Sequence, residues 1–104
     1  MSKMTIEHRF SITRDDAKAR LVALGEYLSN KHKIAVTWDG DKCSVKGKYM
    51  VVAVEGSMTV EDDRVTFEGK DPGFLWRNKA KDYISKKLKT YLDPSFPMSD
   101  LPRR

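Results

Sequence analysis

The sequence predicts an α+β domain, an antiparallel sheet of about five strands with two helices packed on one face. The arrangement is a reduced helix-grip-like one. Residues 4–10 and much of 34–67 alternate apolar with polar side chains, the period of half-buried strands. Two other stretches repeat apolar residues at spacings of three and four, the period of amphipathic helices. Turn residues at Asp39-Gly40 and Glu61-Asp62-Asp63 join the strands as hairpins.

Taken in order, Met4, Ile6, His8 and Phe10 face inward and Thr5, Glu7 and Arg9 outward. Thr13 is the expected N-cap of the first helix, with Asp16 in a capping-box-like position and Asp15 favoured at the positive end of the helix dipole. Ala17, Leu21, Leu24 and Leu28 form a narrow seam ending near His32, and Gly25 beside it admits a close neighbour. Ile34, Val36 and Trp38 lead to the Asp39-Gly40 turn, and Cys43 and Val45 continue inward. Gly47-Lys48 reads as a turn or a bulge. From Tyr49 a central strand of about 12 residues is predicted, the longest of the sheet, with Met50, Val52, Val54, Met58 and Val60 inward. Gly56 marks a bend there, or a close approach by a helix. Tyr49, Val51 and Ala53 then form an apolar outward patch suited to a homodimer contact.

The last helix spans Phe74 to Leu92, with Asp71 as N-cap and Pro72 at the first helical position. Trp76, Ala80, Tyr83, Ile84, Leu88 and Tyr91 fall on one apolar face. The same helix carries six basic side chains against Asp82, an excess equal to the protein's formal net charge of +5. Lys79, Lys81, Lys86 and Lys89 make a possible docking surface for an anionic partner. Lys87 intrudes on the apolar face, so its stem should carry the ammonium to the edge. Residues 1–93 are read as one domain, and 94–104, with Pro94, Pro97 and Pro102, as a flexible tail.

Composition excludes several classes of function. At 104 residues the chain holds one hydrophobic core and not two. No apolar run reaches the ~18 residues of a transmembrane helix, and residues 1–7 lack the apolar core of a signal peptide. The single cysteine, Cys43, forms no disulfide within the chain and fits a reduced, cytoplasmic setting. On an inward strand position it reads as an inert thiol, and His8 as a core or edge histidine. His8, His32 and Cys43 lack metal-ligand spacing, and no nucleophile elbow or phosphate loop is present. No catalytic, cofactor-binding or metal-binding residue is assigned, and no cofactor is expected.

The residues Ile6, the helix opening Thr13–Leu21 with Asp16-Ala17 and Arg20, Trp38-Asp39-Gly40-Asp41, and Gly73-Phe74-Leu75 together form a pattern. It resembles that of the polyhydroxyalkanoic acid system proteins, small bacterial proteins linked to polyester storage granules, over about residues 4 to 92. The resemblance implies a role in polyhydroxyalkanoate metabolism, at the granule, and supplies no catalytic residues. The first reading of function is therefore a non-enzymatic accessory protein, with the granule surface or a granule-coat protein as partner. The alternative is a binder of small apolar ligands, with the ligand between helix and sheet. Against it, the interior is expected to be filled, leaving less than the ~300 Å³ a drug-sized ligand needs. A nucleic-acid-binding domain using the basic helix ranks last, because the solvent-facing side of the sheet lacks basic and aromatic alternation.

Overall fold

The structure is a computed structural model in which residues 3–49 and 52–104 are described. Five strands form one antiparallel sheet: β1 (Lys3–Arg9), β2 (Ala35–Asp39), β3 (Lys42–Tyr49), β4 (Val52–Val60) and β5 (Arg64–Lys70). Their spatial order is β1-β5-β4-β3-β2, so β4 is central, as its apolar phase requires. Helices α1 (Arg14–His32) and α2 (Phe74–Tyr91) lie on one face, and a short 3-10 turn, Met98–Asp100, follows.

Alternation decides which face is buried. Met4, Ile6, Cys43, Val45, Met58 and Val65 point toward the helices and are buried. The opposite face carries Lys3 paired with Glu68 at 2.8 Å and Arg64 with Glu61 at 3.1 Å. That face is wet, so these pairs contribute little to stability. The Asp39-Gly40 signal makes a two-residue turn one position later than expected, at Gly40-Asp41, with Asp39 opposite Lys42. Gly40 has φ of 60°, and a glycine takes that conformation without a Cβ clash.

Helix α1 begins as its sequence dictates. Thr13 Oγ1 accepts the Asp16 amide at 3.2 Å. The Asp16 carboxylate turns to Arg20 instead of closing the capping box. Ala17, Leu21 and Leu24 of the seam are buried, and Leu28 is half-buried. Gly25 lies against β2, where an added Cβ would sit 3.0 Å from Val36 Cγ1. Arg14, at the first turn, pairs with Asp41 at 2.5 Å and Asp62 at 3.0 Å, so two hairpin turns converge on the start of α1.

Four expectations need correction. Tyr49 belongs to β3 and not to the following strand, because it pairs across a hairpin with Val52. Its side chain therefore faces the helices, so Tyr49 does not join Ala53 in the outward patch expected of them. Met50 and Val51 lie outside the described residues. Gly47 is neither turn nor bulge: it pairs with Val54, and its missing side chain leaves room for Ile34, whose Cα is 3.0 Å from the Cβ position. Gly56 is approached by a strand and not by a helix. It pairs with Gly69, and the Phe67 ring lies 3.0 Å from where a Cβ would stand on either glycine.

Residues 94–104, expected to be a flexible tail, fold back onto α1. Leu101 is buried, and Phe96 and Met98 pack on the core. Asn30 Nδ2 donates to the Arg103 carbonyl at 2.8 Å, and Arg103 pairs with Glu26 at 2.6 Å. Ala23 is fully buried although it is off the seam, on the flank of α1 shared with Arg20 and Asn30, which both bond to residues of 94–104. Proline content limits helix and strand, but it does not prevent docking.

Candidate functional site: an apolar cleft under the second helix

Helix α2 does not start at Asp71. Gly73, with φ of 101°, stands at the N-cap position, and Asp71 holds the approach. One carboxylate oxygen of Asp71 accepts the Gly73 amide at 2.9 Å, and the other pairs with Arg77 at 2.8 Å. These contacts, the Arg77 one foremost, hold the Asp71 carboxyl below the usual carboxylate range.

Burial along α2 rises steeply from one end to the other. Phe74 and Leu75 are 78% and 73% exposed, whereas Leu88 and Tyr91 are 0% and 1% exposed. Trp76, Ala80, Tyr83 and Ile84, the first half of the apolar face, are only half-buried. On the helix-facing side of the sheet the Gly56–Gly69 pair contributes no side chains, and only the Phe67 ring covers it.

An open cleft of about 620 Å³ lies between α2, α1 and the sheet. It overturns the expectation of a filled interior, and it lies within the ~300–1,000 Å³ range of small-molecule sites. Its floor is formed by Val45, Val52, Val54, Met58 and Phe67, and its α1 side by Leu24 and Leu28. Residue volumes alone did not reveal it, because its walls come from α1, three strands and α2, which are distant in the chain.

One end of the cleft is polar. His32 closes α1, Tyr49 closes β3, and Tyr83 comes from the middle of α2. The His32 and Tyr49 ring centroids are 4.7 Å apart, and those of Tyr49 and Tyr83 are 4.9 Å apart. The Tyr83 hydroxyl lies 3.2 Å from His32 Nε2, within hydrogen-bonding distance. Burial pushes the Tyr83 hydroxyl far above the ordinary tyrosine range. Burial also lowers the His32 pKa, helped by the positive charges of Lys31 and Lys87.

Lys87 is half-buried, and its stem reaches toward aromatic rings of α1 and α2. Its ammonium stands 4.3 Å from the centroid of the Tyr27 ring and 5.6 Å from that of Tyr83. Aromatic faces attract a cation electrostatically, which accounts for a lysine on an apolar stripe. The possible docking lysines separate into two groups. Lys79 and Lys86 stand on the cleft rim, Lys79 over the Trp76 ring at 5.5 Å and Lys86 paired with Asp82 at 3.0 Å. Lys81 and Lys89 are exposed but do not line the cleft.

The remaining candidates are placed apart from it. Cys43 is fully buried, and burial raises its thiol pKa, so little thiolate forms. His8 is half-buried near Lys89 at the far end of α2, with its pKa lowered first by burial and then by that lysine. Among the described residues, no group of three or more His, Cys, Asp and Glu side chains lies together as a metal site would need. No helix among them is long and apolar enough to cross a membrane.

The fold and site define a small helix-on-sheet domain with an open apolar cleft and a cationic rim. The chain belongs to the family described as putative polyhydroxyalkanoic acid system protein, whose family model matches residues 4–96. No curated protein and no solved structure matches the chain.

Proposed function

We propose that this protein is a non-enzymatic accessory protein of polyhydroxyalkanoate storage, cytoplasmic and attached to the polyester granule surface by the start of α2. The carrying observation is the exposure of Phe74 and Leu75, which among the described residues are the large hydrophobic side chains left in solvent, at 78% and 73%. They precede Trp76 and the half-buried first turns of α2, so the apolar surface continues into the cleft. Inserting exposed apolar side chains into an apolar surface contributes about 1.5–3 kcal/mol for each one fully buried. Lys79, Lys81, Lys86 and Lys89 follow on the same helix and add attraction to anionic groups on a coated granule. Family membership supports the choice of a polyester surface over other apolar surfaces.

Co-sedimentation with native granules and with bare polyester particles tests this reading. The double variant Phe74→Ser/Leu75→Ser should lose most binding to both, while the wild type pellets with both. Changing the four lysines to Gln should weaken only a salt-sensitive part, and only on native granules. Equal pelleting of wild type and the double Ser variant removes the proposal.

A further inference from the structure

We propose that the cleft under α2 is a binding site for one medium-chain aliphatic carboxylate, with its head group at Lys87 and its tail along the sheet. The site is asymmetric in the way such a molecule is. Lys87, Tyr83 and Tyr49 occupy one end, while Val52, Val54 and Met58 line the floor with hydrocarbon. Sheet, α1 and α2 wall the space on three sides. That leaves a slot with an apolar floor, open to solvent on its remaining side.

Charge selects the head group. Three lysines reach the cleft, Lys79, Lys86 and Lys87, with one acid, Asp82, among them. Asp82 is already paired with Lys86. Among the described residues no carboxylate pairs with Lys79 or Lys87, whose ammonium groups rest only on aromatic rings. A carboxylate entering at Lys87 meets an ammonium that stands over the Tyr27 and Tyr83 rings, and pairs with it through charge-assisted hydrogen bonds. A cationic amphiphile meets the same lysines with repulsion.

This inference is independent of granule attachment, which rests on Phe74 and Leu75 outside the cleft. The test is isothermal titration calorimetry of the full chain with octanoate, decanoate and decyltrimethylammonium, each below its micelle concentration. Decanoate should bind with one-to-one stoichiometry, and more tightly than octanoate by on the order of tenfold, from two more buried methylenes. Decyltrimethylammonium should bind far more weakly. Lys87→Met, which keeps the stem, should weaken decanoate about tenfold. Ala80→Trp should abolish binding by filling the slot, and Ala80→Leu serves if the tryptophan variant melts early. No saturable heat with decanoate, or equal binding of the two decyl amphiphiles, overturns the proposal. So does decanoate binding unchanged in both Lys87→Met and the Ala80 variant. A dimer seen by light scattering and broken by the Ala80 variant also overturns it, because the cleft is then covered by a second copy. Decanoate binding without granule pelleting leaves this site standing and removes the granule reading; the reverse result does the opposite.

Discussion

Arg20 of α1 closes the end of α2 through Tyr91. Its guanidinium, on a side chain whose residue is 5% exposed, donates from Nη1 to the Tyr91 carbonyl at 3.1 Å. The same nitrogen lies 3.0 Å from the Asp93 carbonyl and 2.8 Å from that of Phe96, and Nε reaches Asp16 at 3.3 Å. The last carbonyls of a helix have no partner within it, and here a neighbouring helix supplies one. Five donors in a fixed fork allow one side chain to join α1, α2 and the tail.

Arg20→Leu should therefore lower stability by about 3 kcal/mol, since three carbonyls lose a buried donor at once. Urea denaturation measures it. Arg20→Lys should recover only part, having a point charge in place of a fork. A loss below about 1 kcal/mol for Arg20→Leu would show that water replaces the guanidinium freely.

The docked tail predicts a second effect. Leu101 is buried at 4% exposure, so Leu101→Ala should cost about 2–3 kcal/mol. Deleting residues 97–104 should also expose Ala23 and release Tyr91, whose hydroxyl donates to the Pro102 carbonyl. Thermal melts of the two variants check this, and an unchanged melting temperature in both would return 94–104 to the status of a mobile tail.

The phase of α1 is open to the same kind of measurement. Leu24 is buried against the sheet at 3% exposure, and Val22 is half-buried off the seam. Leu24→Ala should cost about 2–5 kcal/mol and Val22→Ala less than about 1.5 kcal/mol. Equal losses would place the seam on the wrong side of the helix.

Acidity should weaken the fold through His32. Its pKa is lowered in the folded state, by burial first, from the ordinary 6.5. Between that folded value and 6.5 the unfolded chain binds a proton that the folded chain does not, so stability falls as pH falls. The contribution is complete above pH 6.5, is lost as pH drops through 6.5, and levels off below the folded value. His8 acts in the same direction. Melting temperatures should thus be lower at pH 5.5 than at pH 7.5, and His32→Gln should flatten part of that slope. An identical pH profile in the variant would separate His32 from the effect.

Much of this protein was determined by sequence alone, because the relevant signals are local. The Met4–Phe10 alternation, the Thr13 cap, the Ala17–Leu24 seam and the glycine of the β2–β3 turn each depend on neighbours a few residues away. Backbone period and cap chemistry act at that range, so strand, helix and fold class were legible. Only the tertiary structure decided what depends on residues distant in the chain. Tyr49 changed strand because a hairpin places it opposite Val52, although its alternation fits either assignment. Arg20 gained its buried place only when α2 and the tail brought it carbonyls 71 to 76 positions away. Lys87 found its place only when α1 brought Tyr27 beside it. The cleft belongs to the same class, since its lining comes from α1, the sheet and α2, which meet only in the folded chain. Local propensity sets which face each element buries, and the partners that meet that face decide whether the space between them is filled.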